Sequence, residues 1–292
     1  MPEASRAFLA LFSWLTPITF LTVVTIVWFR KRARRGRSRL SSTPLLFPIV
    51  LRDITLRRET RPVLDAVILS LDSGTIAVVV GANGTGKTSL LEIAAGRLVP
   101  SSGECLMSQA AVDMGQESWR SRVSFCPADG GVIDYLTVAE HLAMAATLVS
   151  PGKGIPSSVR ADRLGQLWGL STHLHDRGAT LSDGLRTRLG LALALVPRSD
   201  LYLFDEPTVS LDADGVRVLI AVLQRLRASQ AAAVITTHSP ELIGPVASTY
   251  FSLVPGDRGS TLEDNGSELP PEWSSSSDGP GDGEPGLAWL FP

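Results

Sequence analysis

The stretch Val78–Leu91, "VVVGANGTGKTSLL", decides the fold. Three β-branched residues run into a glycine-rich loop, and an apolar helical pattern follows it. Gly81, Gly86, Lys87 and Thr88 fall on the spacing G-x-x-x-x-G-K-[ST]. Glycines at 81, 84 and 86 let a loop bend so that successive N–H groups point into one concavity. Those donors, with the helix N-terminus behind them, form a site for the phosphates of a nucleotide. The loop residues Asn83, Thr85 and Ser89 belong to the same cradle. Lys87 adds a point charge near the β- and γ-phosphates, and the Thr88 hydroxyl is placed for Mg²⁺.

Outward from this motif, strand-like and helix-like pieces alternate. "TIAVVVG" (75–81), "LYLFD" (201–205) and "AAVITT" (232–237) are short apolar runs typical of strands buried on both faces. Between them lie "KTSLLEIAAGRL" (87–98), "TVAEHLAMAATL" (137–148), "RLGLALALV" (188–196) and "GVRVLIAVLQRL" (215–226), which read as helices. The alternation predicts an α/β domain on a parallel central sheet. Two of these strands end in chemistry. Asp205 and Glu206 close "LYLFDEP" at the carboxyl edge of a sheet, where α/β ligands bind. Asp205 is the candidate metal residue and Glu206 the candidate base for an attacking water. His238 closes "VITTHSP", where an imidazole can hydrogen-bond a γ-phosphate.

The stretch "RVSFCPADGGVIDYLTVAEHL", Arg122–Leu142, reads as a strand, a loop and a helix opened by the capping box Thr137-x-x-Glu140.

The two ends of the chain differ from its middle. The 292 residues carry a net charge of -2, which gives no case for nucleic-acid binding, and Cys105 and Cys126 are two cysteines only, expected as reduced thiols. Phe8–Phe29 lacks any charge. At helical rise its 22 residues reach roughly 33 Å, enough for a bilayer core. Arg30–Arg39 follows with seven basic residues in ten. The positive-inside rule then places the bulk of the chain on the cytoplasmic side of a single-pass membrane anchor. A cleaved signal peptide would have its basic residues before the apolar run instead of after it. Scarcity of acid and abundance of Arg and Ser in the first 50 residues leave an organelle inner membrane as the alternative. The expected organisation is a tail over 1–7, a transmembrane helix over 8–29, a basic linker over 30–44 and the α/β domain over 45–254. A disordered acidic tail rich in Gly, Pro and Ser is expected over 255–292.

Together the motifs resemble an ATP-binding-cassette (ABC) ATPase, the nucleotide-binding subunit of an ABC transporter, over about Leu51–Val254. "GANGTGKTSLL" matches the phosphate loop, "LSDGLRTRLGLALAL" the LSGGQ signature and its helix, "LYLFDEPTVSLD" the catalytic strand and D-loop, and "TTHS" the switch histidine. The resemblance implies a P-loop NTPase fold with a parallel core sheet and a helical signature subdomain. It implies ATP and Mg²⁺ as ligands, and a second cassette packed head to tail. Ser182 and Gly184 would then contact the γ-phosphate of the partner's ATP.

The departures are Asp183 and Leu185 inside the signature, and Arg58 where the family often stacks an aromatic on adenine. The largest departure is Ala128, which falls on a loop glutamine that normally touches Mg²⁺ and the attacking water. Asp129 is its nearest polar neighbour. The implied function is ATP hydrolysis powering a transporter with a separate multi-span permease. The alternative is a regulatory or structural ATP-binding module with weak hydrolysis, paired with another cassette. "GKTSLL", "TTHSP" and the missing glutamine resemble the ATPase subunit of the haem-exporter (cytochrome c maturation) systems.

Overall fold

Strand β3 (Ile76–Val80) is buried along its whole length, and its alternation explains the layering. Ile76, Val78 and Val80 face one core, while Ala77 and Val79 face a second. A strand with both faces apolar must be covered on both sides. The computed structural model describes residues 47–59, 61–149, 155–270, 273, 287 and 289–290. It places β3 inside a six-stranded sheet of order β10-β9-β3-β8-β7-β6. Strands β6 (Val123–Cys126), β7 (Leu201–Asp205), β8 (Ala232–Thr236) and β9 (Thr249–Val254) run parallel with it. The same alternation recurs in β7, with Tyr202 and Phe204 in one core and Leu201 and Leu203 in the other.

Helix α1 (Lys87–Ala94) covers one face with Leu90, Leu91 and Ile93. Behind it lies a four-stranded antiparallel sheet of order β2-β1-β4-β5. Its strands are β1 (Ile49–Arg58), β2 (Arg61–Leu71), β4 (Ser102–Met107) and β5 (Ala110–Val112). A single-turn helix α2 (Glu117–Arg120) buries Trp119 on this core. The other face carries α3 (Val138–Leu148), α4 (Ser157–Leu167), α5 (Asp183–Leu195) and α6 (Ala213–Ala228). The parallel sheet, the helix after the phosphate loop and the helical layer are those expected from the sequence. So is the box that opens α3: Thr137 Oγ1 accepts from Glu140 N at 3.2 Å, and Glu140 Oε2 accepts from Thr137 N at 2.8 Å.

Two expectations need separate treatment. The membrane span over Phe8–Phe29 and the basic linker lie outside the described residues. Among the described residues no helix is long and apolar enough to cross a membrane. The disordered tail from 255 is corrected over its described start, because Thr261–Gly266 forms strand β10 antiparallel to β9, from Thr261↔Val254 to Gly266↔Tyr250, while most of 271–292 lies outside the described residues. Ser260 also exchanges backbone bonds with Val63 and Asp65 of β2. Further on, Leu287 and Leu290 are buried in the helical core. A polar edge strand is held by its backbone ladder, so composition does not reveal it.

Both cysteines are free and buried, as expected for reduced thiols. Burial pushes each thiol from the ordinary 9.0 up to about 12, with Asp129 and Asp205 adding to the rise at Cys126. Burial likewise pushes the Tyr202 hydroxyl to about 12. Between pH 9 and 12 the folded chain therefore holds protons that the unfolded chain releases, so folding stability falls as pH rises through that window. Urea midpoints should decline above pH 9 and not below it. Replacing both cysteines by alanine should flatten part of that decline, with Tyr202 and Tyr250 among the groups that keep the remainder.

Candidate phosphate site

Gly86 opens α1 with φ +103, a conformation that L side chains rarely adopt, and a Cβ there would meet Val63 and Leu64 side chains at 3.0 Å. This turn aims the loop at a cavity of about 1090 Å³. The cavity is lined by Asn83, Gly84, Thr85, Gly86, Lys87, Thr88, Ser89, Glu206 and His238, and also by Arg58 and Ala128. Residues far apart in sequence thus meet as the spacing implied. Gly81 sits at the strand end and contributes its carbonyl to Lys87 Nζ at 2.7 Å.

Lys87 is the electrostatic centre of the site. Its Nζ lies 3.2 Å from Glu206 Oε1 and 3.1 Å from His238 Nε2. Glu206 Oε1 is in turn 3.0 Å from His238 Nε2, and Glu206 Oε2 accepts from His238 N at 3.2 Å. A buried ammonium is costly unless paired. The Glu206 carboxylate supplies the countercharge. Glu206 holds φ +48, a left-handed conformation uncommon outside glycine. Its N–H is secured on Thr236 O at 3.1 Å and Thr236 Oγ1 at 3.0 Å. Such strain persists only where the surroundings over-determine it.

Asp205 is buried and fully used. Thr88 Oγ1 donates to its Oδ2 at 2.7 Å, and Thr236 Oγ1 donates to its Oδ1 at 2.6 Å. A hydroxyl and a carboxylate side by side form a hard oxygen donor set that suits Mg²⁺. Thr236 was missed from the sequence. Its signal is the pair of threonines, Thr236 and Thr237, that interrupts an otherwise apolar buried strand. Thr237 Oγ1 is bonded to Thr208 Oγ1 at 2.8 Å.

The signature residues stand apart from this cavity. Ser182 caps α5, its Oγ accepting from Leu185 N at 3.3 Å, and neither Ser182 nor Gly184 is among the residues lining the cavity. Asp183 is an exposed first-turn acid, favourable at a helix N-terminus. Leu185, in place of the family glutamine, packs partly buried on the helical core. From α5, Arg188 Nη2 reaches Asp212 Oδ1 at 2.5 Å, and Asp212 also caps α6 through Gly215 N at 2.8 Å. The Gly215 N–H first, and then Arg188, hold the Asp212 carboxyl below the usual range.

The loop after β6 reaches the cavity through Ala128, whose methyl group is all that it offers there. Asp129 does not replace a glutamine. Its Oδ1 accepts from Gly131 N at 2.9 Å, within its own turn. The rest of the loop is fastened to the helical layer. Arg186 donates to Asp134 Oδ1 at 3.0 Å, and His141 Nε2 accepts from Ile133 N at 2.8 Å.

Comparison with known proteins agrees with this geometry. The ABC transporter family matches residues 64–209. The cytochrome c biogenesis ATP-binding export protein CcmA of Cupriavidus necator is 34% identical over 182 residues, 62% of this chain and 79% of that protein. Phospholipid-transporting ATPase ABCA3 of Homo sapiens is 34% identical over 173 residues, 58% of this chain. The match is 10% of ABCA3, so the chain spans about a tenth of that relative's length. Among solved structures, a dimeric ATP-binding cassette bound to ADP and Pi has a TM-score of 0.64 at 18% identity, covering 76% of this chain and 99% of that one. An ATP-binding subunit of an ABC transporter has a TM-score of 0.63 at 22% identity, covering 70% and 85%. These two likenesses establish the fold. With the family match spanning half of the chain and an export protein related over most of its own length, the chain belongs to the ABC transporter family, as an ATP-binding cassette.

Proposed function

We propose that this cassette binds and hydrolyses ATP, and that the hydrolysis powers a transporter whose pathway is a separate multi-span permease. The observation that carries the reading is the convergence of Lys87, Glu206 and His238 within 3.2 Å of one another at the mouth of the phosphate loop. The loop N–H groups and Lys87 hold the phosphates. Incoming phosphate takes over Lys87 as countercharge and releases Glu206 from its ion pair. Glu206 then accepts the proton of the attacking water. His238 hydrogen-bonds the γ-phosphate and keeps its contact with Glu206. Thr88 and Asp205 would hold Mg²⁺, which when bound neutralises charge on the β- and γ-phosphate oxygens.

Ser182 and Gly184 act in trans in this reading. They sit at a helix N-terminus away from the chain's own phosphate cavity, so a second cassette would bring its ATP to them. The dimeric cassette structure supports that arrangement. The CcmA relatives, named as export proteins, support placement near the cytochrome c maturation exporters. The apolar run over Phe8–Phe29 would anchor the chain in a single pass, with the cassette on the cytoplasmic side or, in an organelle, at the inner membrane.

A second reading rests on Ala128. A cavity wall with a methyl group, where an amide could reach the water, favours a regulatory ATP-binding module with weak hydrolysis. Both readings are tested by phosphate release from the full chain, with Mg²⁺ and with EDTA. Release that is no higher in Mg²⁺, even with the partner permease present, overturns the ATPase reading. Under that reading Ala128→Gln leaves the rate nearly unchanged. A gain of about 10²-fold would fit restoration of a missing water-positioning group and favour the module.

A further inference from the structure

We propose that Trp273 is a positioning residue for His238, so that the segment beyond the family-matched stretch completes the hydrolytic site. The inference rests on the ATPase reading above, in which His238 meets the γ-phosphate. The Trp273 and His238 ring centroids are 6.3 Å apart, with the planes tilted by 40°. On its other side Trp273 borders a small cavity of about 280 Å³ with Gly81 and Ala82. Those are the two residues whose carbonyls accept from Lys87 Nζ, at 2.7 and 3.4 Å. One indole therefore stands against the imidazole and borders a cavity that the lysine-holding backbone also lines.

The physical need for such a contact lies in the imidazole itself. The torsion that turns a histidine ring about its Cβ–Cγ bond is broad and roughly two-fold. The ring plane is therefore set by what packs on it. His238 Nε2 must stay within 3.1 Å of both Lys87 Nζ and Glu206 Oε1, and its side chain remains 33% exposed. A flat apolar neighbour is the means of locking it. The family match ends at residue 209, and Trp273 lies beyond it.

Trp273 is not a loose end. It follows the buried Pro270, to whose carbonyl its N–H donates at 2.9 Å. The chain docks again at Leu287 and Leu290 in the helical core, where the buried Arg160 donates to both Leu290 O and Leu195 O. The described residues before Trp273 are thus held on β10, and those after it on α4.

The test compares Trp273→Ala and Trp273→Phe with the unaltered full chain. Trp273→Ala should lower kcat for ATP by about tenfold or more with little change in KM, as misplacement of a catalytic group does. Trp273→Phe, which keeps a ring there, should restore most of it. In a His238→Ala background Trp273→Ala should cause no further loss. An equal fractional loss in both backgrounds would mean that Trp273 acts on stability alone, and would overturn the proposal. The chain has four histidines, so the His238 ring resonances can be assigned with His238→Ala and followed without turnover. They should move in Trp273→Ala far more than the other three. If they stay in place the proposal fails, whereas absent turnover with shifted resonances would instead fault the ATPase reading.

Discussion

Glu206→Gln will nearly abolish turnover while ATP remains bound. The amide keeps the size and backbone demands of the native residue and removes only the proton acceptor. Loss of a positioned general base lowers kcat by about 10²–10⁴-fold. The structure adds a second half to the expectation. Glu206 Oε1 stands 3.2 Å from Lys87 Nζ, where it would compete with phosphate for that ammonium. A neutral side chain ends the competition and removes a negative charge from the phosphate site. Affinity for ATP should therefore rise as the rate falls. Phosphate release and equilibrium binding of ATP, measured on the same preparation, check both halves. A variant that keeps most of its rate would move the base elsewhere. One that loses affinity would show that Glu206 supports the loop fold and not proton transfer.

The distribution of what could be read from sequence follows from what backbone and side chains each contribute. β3, β7 and β8 were legible because they are apolar up to the last residue of β7 and β8 and both faces are covered, which leaves a continuous run. The phosphate loop was legible because its chemistry lies at fixed spacing. The antiparallel sheet was not. β1 and β2 pair through several register shifts, and Asp53 and Ala66 take positive φ, which breaks the simple two-residue alternation. β10 was hidden by composition: its acids and glycine read as a tail, while its ladder with β9 is made by backbone. At the site, Ala128 was found only by counting against a family pattern, and it lies on the cavity wall. Thr236 was passed over because a threonine in a strand usually marks β-propensity and not a second bond to a buried carboxylate such as Asp205.

A close backbone approach in the helical layer yields the second large effect, and it concerns the loop that carries Ala128. Gly190 of α5 lies against Gly130, where a Cβ on Gly190 would meet Gly130 Cα at 2.5 Å and Gly130 O at 2.6 Å. Gly130 holds φ +73, so it cannot yield by exchanging for another residue. Backbone cannot rotate away as a side-chain tip would. Gly190→Ala must push the loop and the helix apart, and overpacking of this kind costs about 1–3 kcal/mol or more. Alanine's better helix propensity returns at most about 1 kcal/mol of that. For a domain of this size a net loss of about 1–2 kcal/mol lowers Tm by roughly 2–8 °C. Thermal and urea unfolding check the magnitude. ATPase assays then ask where the strain goes. Arg186 and His141 still hold the far part of the loop, at Asp134 and Ile133, so displacement concentrates near Ala128, at the edge of the phosphate cavity. Turnover should therefore fall by more than the unfolded fraction accounts for. Unchanged stability would mean that α5 and the loop part freely, and that the signature helix and the cavity wall do not move as one piece.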